Sequence, residues 1–214
     1  PPALRQAAAV AGWGLVIREP EPDDPVPTLI RHPRWVKPIQ AMYDGLAIRP
    51  GYRETDISPV FLVFFSVFFA ILIGDAGYGL LFLAATWWAR RRWPQAPAYP
   101  FTLFGILSVG TILWGVMTGN YFGIRPGVLP GVLQGLQVEW LTGEGSQNHV
   151  MKLCFLIGAI HLTIAHVWNA IERYPSPQAF AQFGWIAVAW SMYFVALNMV
   201  INQPLPGFFG PDRK

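Results

Sequence analysis

Five stretches of the chain are almost continuously apolar, with short polar clusters between them. Ile57 to Ile73 is the first and Leu80 to Ala89 the second, separated only by Gly74-Asp75-Ala76-Gly77-Tyr78-Gly79. The second ends on the run Arg90-Arg91-Arg92. Read as one straight helix, residues 57–92 would extend ~54 Å, against a hydrocarbon core of ~30 Å. A helical hairpin solves this, because each arm then spans most of the core and three glycines in six residues supply the turn. Phe101 to Phe122, Val150 to Ile171 and Phe180 to Ile201 follow as single apolar runs. The pattern therefore predicts an all-α polytopic membrane protein with five transmembrane helices, at about 57–73, 79–92, 101–122, 150–171 and 180–201. The first two form a short hairpin.

Residues 1–56 break this pattern and read as a small soluble lead-in. Pro20, Pro22, Pro25, Pro27, Pro33 and Pro38 are interleaved there with Glu19, Glu21, Asp23 and Asp24. Each proline removes a backbone donor and restricts its predecessor, so this stretch is an extended connector and not a continuous helix. Leu15-Val16-Ile17 is expected as a short strand, and Trp35 to Leu46 as a short helix stopped near Gly45. Residues 57–202 form the bundle, and 203–214 a tail.

Composition agrees with a lipid-facing exterior. Hydrophobic residues make up 53% of the 214 and charged residues 13%, about half the share of a soluble domain. The net charge of +3 would suit nucleic acid, but its placement excludes that class. Of fifteen Lys and Arg, seven precede Ile57 and three form the 90–92 run. The Gly123–Gln147 connection holds only Arg125, whereas the connections after the second and fourth spans carry Arg90–Arg92 and Arg173. This asymmetry places the N-terminus in the cytoplasm and agrees with five crossings. Trp87, Trp88, Trp93, Trp140, Trp168, Tyr174 and Trp185 lie near span ends, as interfacial aromatics do. Arg213 and Lys214 would fall outside, against the trend.

Few residues carry candidate chemistry. Gly105, Gly110, Gly115, Gly119 and Gly123 recur along the third span, and the 115–119 and 119–123 pairs predict a groove for a close neighbouring helix. Asp75 is the one carboxylate inside an apolar stretch; at a hairpin turn it closes the turn and caps the next helix. Ion handling is the sharper alternative for it. His161 and His166, five apart, point about 140° away from each other, so they do not share a metal and bond to different neighbours. Cys154 sits alone in an apolar run, which excludes an intrachain disulfide. No nucleotide-binding glycine loop, nucleophile elbow or zinc-protease pattern is present in the sequence, so the expectation is a non-enzyme without cofactor or metal.

Three segments resemble a known family. The first is Asp24-Pro25-Val26-Pro27-Thr28-Leu29-Ile30 through Trp35-Val36-Lys37-Pro38. The second is Asp56-Ile57-Ser58-Pro59 leading to Phe68-Phe69-Ala70-Ile71-Leu72-Ile73-Gly74-Asp75-Ala76-Gly77-Tyr78-Gly79-Leu80-Leu81. The third is Leu113-Trp114-Gly115-Val116-Met117-Thr118-Gly119-Asn120-Tyr121-Phe122-Gly123, followed by Ile157-Gly158-Ala159-Ile160-His161-Leu162. Together they resemble the membrane stator subunit of rotary A/V-type ATPases, called subunit a or subunit I.

The resemblance implies a part of the stator supporting ring-coupled proton or sodium translocation. The implied partners are the proteolipid ring, the peripheral- and central-stalk subunits through the cytosolic part, and the lipid bilayer, in a prokaryotic cell membrane. Gly74, Asp75, Gly77, Tyr78, Gly79, Gly115, Gly119, Tyr121, Gly123 and His161 match its motifs as structural positions with a possible ion-path contribution. The family has eight spans, with its essential arginines in the last two. No arginine here matches those, so the expectation is a fragment of such a subunit. A stand-alone transporter and a non-transporting membrane scaffold are the alternatives.

Overall fold

The computed structural model describes residues 2–19, 21, 30–49, 51, 54–124 and 128–204. Their regular structure is helical: α1 (Pro2–Ala11), a 3-10 turn (Lys37–Ile39) running into α2 (Gln40–Leu46), α3 (Ser58–Ile73), α4 (Ala76–Arg92), α5 (Ala98–Thr118), the short α6 (Gly131–Gln134) and α7 (Glu139–Thr142), α8 (Ser146–Arg173) and α9 (Pro177–Ile201). The expected strand at Leu15–Ile17 is not formed; three apolar residues without a partner strand have nothing to pair with. The alanine-rich 2–11 run is a helix that periodicity did not announce. Pro20, Pro22, Pro25, Pro27, Arg125, Arg213 and Lys214 lie outside the described residues. The expected 35–46 helix opens only at Lys37, and it runs through Gly45 to a cap at Ala47 with φ 54°.

Three helices, α5, α8 and α9, with 21, 28 and 25 residues, are long and apolar enough to cross a membrane. The first two expected spans are shorter, because the Gly74-Asp75 break leaves arms of 16 and 17 residues and the last turn of the second is Arg90–Arg92. At 1.5 Å per residue they measure ~24 and ~26 Å. The other three run 98–118, 146–173 and 177–201, each starting earlier than expected. The third also ends four residues early, since Gly119 turns left-handed at φ 68°.

Side-chain contacts give the helix directions. Leu62 of α3 clusters with Leu103 and Leu107 of α5, and Val36, Ile39 and Tyr43 close this core from below. A Cβ on Gly110 would stand 3.5 Å from that of Ala70, so α3 and α5 run alongside in the same sense. Gly79 instead faces Ser108 and Ile112, while Arg90 lies over the Phe101 ring at 5.5 Å. Thus α4 runs opposite to α5 and the 57–92 stretch is a hairpin. The third helix holds its two arms.

The α8–α9 pair forms a second antiparallel unit. Trp190 Nε1 donates to Thr163 Oγ1 at 3.1 Å, and His166 Nδ1 lies 2.7 Å from Gln182 Oε1, where the ring N–H donates to the amide oxygen. His161 meets the Phe64 ring of α3 at 4.3 Å, and Thr55 donates to Glu172. The starts of α3, α5 and α9 and the ends of α4 and α8 therefore share one end of the bundle. Residues 74–75, 119–124 and 128–145 lie at the other.

Candidate functional site

Two glycine-containing turns interlock at the far end of the hairpin. The first begins where Gly74 takes φ 63° and ends α3. Asp75 follows in an extended conformation, and its Oδ1 accepts hydrogen bonds from Gly77 N at 2.8 Å and Tyr78 N at 3.1 Å. This is the N-cap of α4, the role expected for Asp75: the carboxylate satisfies two of the four amides that a helix start leaves open. Asp75 is 4% exposed, so the cap is a buried one.

The second turn begins where Gly119 ends α5. Asn120 N donates to Gly115 O at 2.8 Å, closing the helix end. The same residue then reaches the first turn twice. Ala76 N donates to Asn120 O at 2.9 Å, and Asn120 Nδ2 donates to Gly74 O at 3.0 Å. Of the amides and carbonyls freed by two broken helices, several are thereby paired with each other.

Glycine is required where these backbones meet. A Cβ on Gly115 would lie 2.0 Å from Ala76 N and 2.6 Å from the Asp75 carbonyl carbon. One on Gly79 would lie 2.8 Å from Ile112 N, and one on Gly77 would overlap the Phe122 ring. Tyr78 packs edge-on against Phe122 with ring centroids 5.3 Å apart. Tyr121 is half-buried, its hydroxyl enclosed without a hydrogen-bond partner. Gly74, Asp75, Gly77, Tyr78, Gly79, Gly115, Gly119 and Tyr121 thus come together around one junction.

The expected glycine groove needs correction in its details. Gly119 and Gly123 do not continue the helix face of Gly115, since both have positive φ and lie at or beyond the helix end. A side chain on Gly119 would meet Gln137 of the following loop, and Gly123 has open space around it. The close seam is between α4 and α5, where Gly79 meets Ser108 and Ile112 and Gly115 meets Ala76. Asn120 is the residue that sequence reasoning passed over, although it stands within the resembling segment. Its signal is an amide directly after a helix-ending glycine, in a stretch otherwise apolar or aromatic.

His161 stands apart from this junction. It packs between Phe64 and Phe68 of α3, its Nδ1 enclosed and unpaired, while His166 stacks on Trp185 of α9 at an interplanar angle of 7°. The two histidines face different helices, as their spacing requires.

No family model matches the chain. The V-type ATP synthase subunit I of Borreliella burgdorferi is 33% identical over 211 residues, covering 94% of this chain and 34% of the relative. Subunit I 1 of the V-type ATP synthase of Treponema pallidum is 34% identical over 217 residues, covering 96% and 35%. The A-type ATP synthase subunit I of Methanocaldococcus jannaschii is 31% identical over 120 residues, covering 52% and 17%. Over this stretch the chain belongs to the V-type/A-type ATP synthase subunit I family.

The chain spans about a third of the length of the subunit I relatives first named. As a subunit I homologue with three long apolar helices, it is an integral membrane protein. The match spans nearly the whole chain, so both turns of the junction are subunit I sequence.

Proposed function

We propose that the chain is part of the membrane-embedded stator of a rotary A/V-type ATPase, and that it supports ring-coupled translocation of protons or sodium without catalysing a reaction itself. The observation that carries this reading is the similarity to subunit I over almost the full chain. The interlocked turns suit a static element. Each backbone group spent on holding α3, α4 and α5 together makes the hairpin a rigid unit, which a stator facing a turning ring requires.

Five crossings with a cytoplasmic N-terminus remain the topology of this proposal. Short α3 and α4 reach across when flanking residues snorkel and the bilayer thins locally, at a cost of fractions of a kcal/mol per Å of mismatch. The grouping of Arg90–Arg92, Arg173, Arg31, Arg34, Lys37 and Arg49 toward one end of the bundle supports it. Trp87, Trp88, Trp93, Trp140, Trp168, Tyr174 and Trp185, all exposed, suit two interfacial belts.

Among the described residues, no arginine stands in the middle of a long apolar helix; Arg173 is the last residue of α8. The ion-exchanging cation would therefore come from elsewhere in the assembly, and this stretch is its framework. The proteolipid ring and the stalk subunits are the partners. Affinity purification of the tagged full-length protein from mildly solubilised membranes tests this. Co-elution of an intact proteolipid ring in fixed ratio is expected. Recovery of the protein alone, under conditions that keep rings assembled, would contradict it.

A further inference from the structure

At the end of the bundle opposite the interlocked turns, the lead-in folds over a cavity of about 720 Å³. Arg31, Lys37 and Arg49 line it together with His32, Gln40 and Asp44. None of the three cations makes an ion pair or a side-chain hydrogen bond with another described residue. Asp44 is occupied otherwise: Tyr99 OH donates to its Oδ2 at 2.7 Å and Gln40 Nε2 to its Oδ1 at 2.8 Å. The Tyr99 hydrogen bond, then that of Gln40, and the nearby Arg49 charge hold this carboxyl below its ordinary range. With both carboxylate oxygens engaged, the lining keeps a formal surplus of two positive charges.

The histidine adds an independent sign. The His32 side chain is 3% exposed, and its Nε2 is enclosed with no hydrogen-bond partner. Its Nδ1 lies 3.4 Å from Asp56 Oδ2, within ion-pair range but outside hydrogen-bond geometry, so neither ring nitrogen has a hydrogen-bond partner. Buried polar atoms are normally paired, so an unpaired one beside a roomy cationic cavity points to an absent acceptor. Three cations around one space suit an oxyanion with several acceptor oxygens, and Arg31 and Arg49 can each offer two parallel donors.

The cavity's depth suggests where that anion comes from. One wall carries Tyr43, which accepts a hydrogen bond from Ser58, the first residue of α3; Asp44 bonds to Tyr99 in the first turn of α5. Both helices begin there, so the cavity sits at the level where a bilayer holds its headgroups. We propose that this cavity binds a phosphate-bearing anion through Arg31, Lys37, Arg49 and His32, with the phosphate of an anionic lipid headgroup as the fitting source. The lipid source rests on the membrane reading above; the phosphate chemistry does not.

The test uses the full chain, purified in detergent and stripped of lipid. Phosphatidylglycerol, phosphatidylcholine and inorganic phosphate are titrated separately, with bound ligand counted by native mass spectrometry. The Arg31→Gln/Lys37→Gln/Arg49→Gln variant and the single Lys37→Gln variant are run beside it, with Arg5→Gln as the charge-matched control for a single loss. Phosphatidylglycerol binding that weakens at least tenfold in the triple variant, and partly in Lys37→Gln, supports the lipid form. The Arg5→Gln control should bind as wild type. Binding of inorganic phosphate with the same dependence, and no gain from the lipid, supports the site with a soluble source. Failure of either anion to bind, or binding unchanged in both Gln variants, overturns it. Failure of the chain to insert into bilayers would sink the membrane reading instead, while the phosphate titration in detergent would still decide the cavity.

Discussion

Replacing Gly115 with alanine is expected to unseat α4 from α5. A methyl group there would lie 2.0 Å from Ala76 N and 2.7 Å from Ala76 Cα, both backbone atoms. Ala76 cannot retreat freely, because its amide donates to Asn120 O and the preceding carboxylate caps α4. Overpacking against side chains costs ~1–3 kcal/mol, since those can find another rotamer. Against two tethered backbones the cost should exceed about 3 kcal/mol. At ~2–4 °C per kcal/mol for a chain of this size, the unfolding midpoint in detergent should fall by about 10 °C, or the protein should fail to assemble. Gly105→Ala and Gly158→Ala are the matched controls, as each lies in a helix with nothing within 4 Å of the new methyl. Both should be neutral or slightly stabilising, by up to ~1 kcal/mol of helix propensity. Equal midpoints for Gly115→Ala and the controls would refute the close seam.

The second large effect is expected at Asp75, where two substitutions separate capping from charge. Asp75→Ala removes the acceptor for Gly77 N and Tyr78 N. Loss of the cap costs ~1 kcal/mol. Leaving the buried Gly77 amide without a partner adds ~1–3 kcal/mol. The sum is about 2–4 kcal/mol, read as a drop in thermal midpoint. Asp75→Asn keeps an oxygen in the same place and should cost less than ~1 kcal/mol. In the intact complex, Asp75→Asn should also leave coupled ion transport near wild type, because the charge itself carries nothing in this account. If Asn were as damaging as Ala to transport while leaving stability intact, Asp75 would belong to the ion path.

Why some of this was legible in sequence and some was not has physical causes. The hairpin followed from length, since 36 apolar-flanked residues overrun a bilayer and three glycines mark where the chain can reverse. The Asp75 cap followed from chemistry, because a carboxylate at a turn has waiting amides. The early end of α5 was passed over because Tyr121 and Phe122 resume the aromatic and apolar run, which hid the Gly119-Asn120 pair whose left-handed glycine stops the helix. That is why a G-x-x-x-G reading extended the groove too far. Nor could periodicity show that α5 would hold both arms of the hairpin, or that Asn120 would tie its turn to Gly74 and Ala76. The Asn120 ties join residues more than forty positions apart, and the α4–α5 seam brings Gly79 to Ser108 and Ala76 to Gly115.

The lead-in was the least readable part. Its proline spacing excluded a continuous helix correctly around Pro33, where a turn and a 3-10 segment appear. It gave no hint that Val36, Ile39 and Tyr43 would be fully or almost fully buried against Leu62 and Leu103. Asp56 shows the same long-range dependence. Burial pushes its carboxyl upward, but the Ser58 hydrogen bonds and nearby His32 outweigh this and hold it below its ordinary value. The contact with His32 spans two dozen residues and has no local signature.

The central claim is that the 58–92 hairpin returns the chain to the side of its lead-in, and that α5 then crosses. Single cysteines at Gln95 and Gly135, both exposed, test it in a Cys154→Ser background. An impermeant maleimide added to intact cells should label Gly135→Cys and leave Gln95→Cys untouched until the membrane is opened. Labelling of both positions from the same side, or of Gln95→Cys alone from outside, would contradict the topology on which the account stands.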